Sequence, residues 1–162
     1  MTATLVYRSM NGPRTAVRLV PGWYTGLVRG TVVAVVVTVL VGILTTGSGP
    51  HAGASEAVDG GRLHRTGFDP QLMEHLHAIP AYALFALTLA LVVGAVVLRL
   101  SSRWALVLLV VEFVQIAVGL TQARTGLPVG LVGTHMVLAG LLVGAVTVVV
   151  LSTRGSAGRQ AA

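Results

Sequence analysis

The sequence predicts an all-α fold: an integral membrane four-helix antiparallel bundle with both termini cytoplasmic. Three observations carry that prediction. Of 162 residues, 54% are apolar and only 10% charged, a balance outside that of ordinary soluble domains. Four stretches, Gly30 to Thr46, Leu72 to Leu98, Trp104 to Leu120 and Val129 to Leu151, approach or exceed the roughly 20 apolar residues that cross a hydrocarbon core of about 30 Å. All 11 basic residues are arginine, and Arg8, Arg14, Arg18, Arg29, Arg99, Arg103, Arg154 and Arg159 flank the ends that the positive-inside rule assigns to the cytoplasm. Only Arg62, Arg65 and Arg124 fall on the other side.

Residues 1–27 are polar and carry Gly12, Pro13, Pro21 and Gly22, so they read as a loose cytoplasmic segment ending in Trp23 and Tyr24 at the membrane interface. The bundle is expected over 28–151, with the first span borrowing Leu27 and Val28. That run is longer than a signal-peptide core and lies far from the N-terminus, so it reads as a retained helix. An outer loop over 47–71 is rich in turn formers and too polar to span. "FDPQLMEHLH" then reads as a helix start, with Asp69 as N-cap and Pro70 at the first helical position. "RLSSR" and "TQARTGLP" are tight turns, which makes successive spans antiparallel neighbours. Residues 152–162 form a cytoplasmic tail. No internal repeat is evident, although the second and fourth spans each carry a histidine about two turns in from the outer surface.

Period-two alternation is absent and the runs are too long for barrel strands. The formal charge of +6 reports topology and contact with anionic lipid, and no nucleic acid partner is expected. With no cysteine, a disulfide and thiolate metal chemistry are both excluded, and any metal must use nitrogen or oxygen ligands.

The chemistry concentrates on His77 and His135. Each lies about six residues inside its helix, so at ~1.5 Å per residue both sit ~9 Å deep. Two imidazoles at one level of a small bundle can meet a planar metallo-macrocycle from opposite faces, and histidine is an axial ligand of haem iron. Ionisable groups at that depth are costly and tend to be functional. His75, two residues from His77, points the other way around the helix. Glu74 and His77 are spaced i, i+3 and share a face; Glu74 either looks into the same pocket or complements the helix dipole. On the third span Glu112, Gln115, Gly119 and Gln122 form one polar stripe, where Glu112 serves as an interhelical hydrogen-bond donor or as a proton conduit. Gly140 and Gly144 make a GxxxG pair suited to close helix packing or self-association. In the outer loop His51 and His64 have no recognisable metal spacing, while Arg62 and Arg65 are either solvated charges or clamps for haem propionates.

"VGILTTGSGPHAG" (Val41 to Gly53), "LHA" (Leu76 to Ala78), "TGLP" (Thr125 to Pro128) and "VGTHM" (Val132 to Met136) occur in an order that resembles the C-terminal half of haem A synthase. The resemblance covers about residues 30–150. It implies a four-helix bundle in which His77 and His135 face haem, as cofactor haem b or as the substrate haem O. It further implies oxidation of the haem O methyl group to the haem A formyl group for cytochrome oxidase assembly; the lysine-free composition, heavy in Ala, Val, Gly and Arg, points to a bacterial plasma membrane. Glu74 stands three residues before His77, the spacing that in this family belongs to the glutamate of the N-terminal, substrate-handling half. The chain departs from the family in having half the number of helices and no loop cysteines. A homodimer, a separate four-helix half as partner, and a copy that only binds or carries haem all fit this pattern. The electron donor is not legible in the sequence.

Overall fold

A computed structural model of the chain describes residues 2–11, 17–18, 20–49 and 68–155. Four helices are long and apolar enough to span a membrane, and the chain is a multi-pass membrane protein. They are α2 (Gly22–Ser48), α3 (Pro70–Val97), α4 (Arg103–Arg124) and α5 (Val129–Ser152), preceded by a ten-residue helix α1 (Thr2–Asn11). A two-residue antiparallel pairing of Val17–Arg18 with Arg154–Gly155 joins the segments just outside the first and last spans. Residues 50–67 lie outside the described residues, and with them most of the expected outer loop.

The spans form as helices because lipid leaves a backbone no other way to satisfy its polar groups, and their apolar side chains match that solvent. Val33, Val36, Leu40, Ile43, Val93, Val110 and Val137 are exposed on the bundle exterior, where lipid rather than water meets them. Asp69 caps α3 as expected, its Oδ1 accepting from the Leu72 amide at 2.7 Å. The turn from α4 to α5 closes through Gly126 and Leu127, both at positive φ, 77° and 59°, with the Leu127 amide donating to the Gln122 carbonyl at 2.8 Å.

The expected loose lead-in over residues 1–27 is corrected in two places. Residues 2–11 form α1, which packs on α5 and buries Tyr7 against the Trp104 ring, edge to face with centroids 6.0 Å apart. The first span starts at Gly22, a turn and a half earlier than hydropathy indicates. Tyr24 is buried there, and its hydroxyl donates to the Leu91 carbonyl at 3.3 Å; Gly94 lets α3 pass close beneath the Trp23 and Tyr24 rings.

The bundle is two helical hairpins. α2 packs extensively on α3 and α4 on α5, while α3 with α4 and α2 with α5 touch far more lightly and to a similar extent. The two hairpins repeat one burial pattern, which the linear reading missed. One constant offset in numbering carries buried Val28, Thr31 and Val35 of α2 onto buried Ala105, Leu108 and Glu112 of α4. The same offset carries Thr38 and Gly42 onto Gln115 and Gly119. A second offset carries buried Leu84, Thr88 and Leu91 of α3 onto buried Leu142, Val146 and Val149 of α5, and His77 onto His135. The pattern is that of an approximate two-fold axis along the bundle. It escapes inspection of the sequence because few of the matched residues, among them Gly42 with Gly119 and His77 with His135, share an identity as well as a position.

Candidate functional site

His77 on α3 and His135 on α5 face one another across the seam between the hairpins. Their ring centroids are 6.3 Å apart, with an interplanar angle of 74°. Each ring lies over a glycine of its own hairpin partner. A Cβ placed on Gly42 of α2 would stand 2.9 Å from His77 Cε1, and one on Gly119 of α4 would stand 3.1 Å from His135 Cε1. Both are closer than carbon atoms ordinarily approach. Glycine is therefore what lets each imidazole sink against the neighbouring helix, and both glycines occupy equivalent places in the repeat.

Side chains on the same helices fix the backbones that carry the histidines. Gln115 Nε2 donates to the His135 carbonyl at 3.1 Å. In the other hairpin Thr45 Oγ1 reaches across to the Met73 carbonyl, one turn before His77, at 3.1 Å. Each ring also meets the backbone of the residue one turn before its glycine, Thr38 for His77 and Gln115 for His135, short of full hydrogen-bond geometry. Nδ1 of both rings is sealed and without a partner, whereas Nε2 is not among the sealed atoms. A histidine that carries its proton on an inward Nδ1 offers Nε2 as a lone-pair donor, which is the arrangement a metal ligand needs.

Among the described residues no group of three or more His, Asp or Glu gathers that could hold a bare metal ion. A pair supplies two ligands, so its complement must bring the others itself, as a planar macrocycle does. The spacing permits that test. With metal–nitrogen bonds of about 2.0 Å and roughly 1.1 Å from nitrogen to ring centre, two axial imidazoles hold their centroids about 6.2 Å apart; His77 and His135 stand at 6.3 Å. Rings on opposite faces can take any mutual rotation about the metal axis, so the interplanar angle fits equally. Comparison of the chain with protein-family models, with characterised proteins and with solved structures finds no match.

The other residues singled out by sequence are distributed unevenly. Glu74 is exposed on α3 and belongs to a different face from Met73, the buried residue one turn before His77. His75 is exposed, its Nδ1 within 2.7 Å of the Gln71 carbonyl, as its angular offset from His77 requires. Arg62, Arg65, His51 and His64 lie outside the described residues. Gly140 and Gly144 border open space, since a Cβ on either would meet nothing within 4 Å, so the GxxxG pair plays no part in packing inside this bundle. The close approaches belong to Gly42, Gly94 and Gly119 instead. Gly42 was legible, had the parallel between "VGILT" and "VGLTQ" been weighed as a repeat.

Glu112 is 4% exposed. Its Oε1 accepts from Thr88 Oγ1 of α3 at 2.7 Å, while Oε2 is sealed and unpartnered. This pair bridges one seam between the hairpins. Its counterparts across the approximate two-fold, Val35 and Val146, line an apolar cavity of about 360 Å³ in the other seam, between α2 and α5. The cavity walls hold no ligating side chain.

Proposed function

We propose that this chain is a bis-histidine membrane haem protein, with His77 and His135 as the axial ligands of a single haem. The observation that carries this reading is the pair of quasi-equivalent imidazoles, each seated on a glycine, at the separation two axial ligands require. When bound, the haem supplies one-electron chemistry at iron. The residues of the chain do the rest. Gly42 and Gly119 set the depth of the rings, Gln115 and Thr45 hold the backbones that carry them, and the apolar helices keep bulk water from the pair.

Within this reading the chain works as a half-size haem A synthase-like oxidoreductase that converts the haem O methyl to the haem A formyl. Support comes from the ordered motifs around both histidines and from Glu74 at the E-x-x-H spacing. It acts as a homodimer or with a separate four-helix half, in a bacterial plasma membrane, with the histidine end outward as the arginine distribution assigns. A second reading, a haem carrier or electron-transfer protein without methyl oxidation, is favoured by the exposure of Glu74 at the start of α3, where a carboxylate also serves as a charge complementing the helix dipole.

Expression with and without a haem O supply, followed by chromatography of the extracted haems, separates the two. Haem A in the extract supports the oxidoreductase, and unchanged haem bound to a folded protein supports the carrier. Both readings expect a low-spin Soret spectrum that His77→Ala or His135→Ala abolishes. A folded preparation lacking any Soret band under ample haem supply would refute both.

A further inference from the structure

We propose that Glu112 is the group that takes up a proton when the haem is reduced, and that the inward face of α4 is the route by which the proton arrives. The inference rests on the haem-binding reading above. Four observations point to it.

Among the described residues Glu112 is the one carboxyl in the bundle interior, with one oxygen engaged by Thr88 and the other sealed and free. Among the described residues no cation pairs with it: Arg103 and Arg124, at the two ends of α4, are exposed. Secondly, the free oxygen begins a row. Gln115 Oε1 and Gln122 Oε1 are also sealed and without partners, and the three residues share one face of α4. At ~1.5 Å per residue the row climbs ~15 Å, from mid-helix to the last turn at the histidine end. Buried polar atoms rarely stay unpaired, and a line of acceptors is what internal water bridges in a polar passage.

Thirdly, the row passes the site. Gln115 holds the His135 carbonyl and Gly119 lies under the His135 ring, so Glu112 sits about two turns beyond that ring along the same helix. With a haem held by His77 and His135, a carboxylate at Glu112 would feel the net positive charge of the oxidised group through a medium that screens poorly. Adding an electron removes that charge, and a proton on Oε2 restores the balance. One electron enters from a one-electron donor such as a reduced quinone-type mediator, one proton is given up by hydronium in the aqueous phase at the histidine end, and no covalent bond other than O–H forms.

Fourthly, the polar pair is not a feature of the repeat. Across the approximate two-fold the same two positions are Val35 and Val146, which line an apolar cavity, so the equivalent place in the other seam holds no polar pair. Among the described residues no other titratable group is placed for this role. On α3, Glu74, His75 and Tyr82 are exposed and His77 is a proposed ligand, as is His135 on α5. On α2, Arg29 is exposed and the Tyr24 hydroxyl is engaged by Leu91. On α1, Tyr7 lies against Trp104 at the opposite end.

The test is an optical redox titration of the purified full chain with haem, repeated across a range of pH. The expected result is a midpoint potential that falls with rising pH at about one proton per electron over part of the range. Glu112→Gln, which keeps an acceptor for Thr88, retains the low-spin spectrum and loses that dependence. Should Glu112→Gln not fold, Glu112→Asp decides: a retained slope in a displaced pH window supports the role, and a profile identical to the parent overturns it. A Soret spectrum with a pH-independent potential in the parent, or an unchanged slope in Glu112→Gln, overturns the inference and leaves haem binding standing. Absence of any Soret band overturns both.

Discussion

At the scale of single residues, glycine and histidine act as pairs. The imidazole of His77 occupies the volume that a side chain at position 42 would need, and the same holds for His135 and position 119. Gly42→Val therefore drives a branched side chain into the ring. Overpacking of this kind costs about 1–3 kcal/mol, and because the displaced group is the proposed ligand the loss falls on the site. The expected outcome is haem affinity lowered roughly tenfold or more with helix content unchanged, read from Soret titration beside far-ultraviolet circular dichroism. Gly140→Val, which meets open space, is the control and leaves both readouts near the parent. Equal effects at positions 42 and 140 would remove the seating role of Gly42.

The Glu112–Thr88 hydrogen bond has an asymmetric energetic signature. Thr88→Val leaves a sealed carboxyl oxygen without its donor, which costs about 1–3 kcal/mol. Removing both polar groups, as Thr88→Val with Glu112→Leu, is expected to recover most of that loss, because a matched apolar pair is often neutral or stabilising where a broken polar pair is not. Thermal unfolding in detergent measures both. A double variant less stable than the single one would mean that the carboxyl has a packing partner beyond Thr88.

At the scale of elements, most was legible. The four spans and the Asp69 cap follow from hydropathy, turn residues and capping chemistry. Hydropathy fades at Leu120, yet α4 continues to Arg124 and carries Gln122 on the polar stripe expected of that span. α1 was not legible, because ten residues barely support a helix alone and this one packs Tyr7 on Trp104. Its exposed Leu5, Val6 and Met10 suit the headgroup boundary, where an amphipathic helix lies flat. Tyr7→Ala is expected to release α1 while the spans remain, seen as altered Trp104 emission and faster proteolysis ahead of Pro21. Unchanged proteolysis would show that other contacts hold the helix.

At the scale of the whole molecule, the bundle is two hairpins joined by the short turn at Leu98–Ser102, with each hairpin contributing one histidine. Cutting the chain in that turn separates the proposed ligands onto two fragments without breaking the extensive contacts inside either hairpin. Co-expressed fragments are expected to reassemble and recover the Soret band of the intact chain, whereas the second hairpin alone, carrying only His135, does not reproduce it. Failure of the pair to recover haem would show that the lighter seam between hairpins needs the covalent link.

Composition, span length and arginine placement were enough by themselves to determine a four-span antiparallel membrane bundle with two histidines at one depth, because lipid imposes helix length and polarity locally, residue by residue. Which way each imidazole turns, which glycine it rests on, and that Glu112 meets Thr88 rather than a histidine were decided only by tertiary structure. Those facts depend on how one helix is rotated against the next. In a span apolar all round, rotation is set by close contacts of small residues and a few polar pairs across the bundle, and no periodicity along a single helix records them.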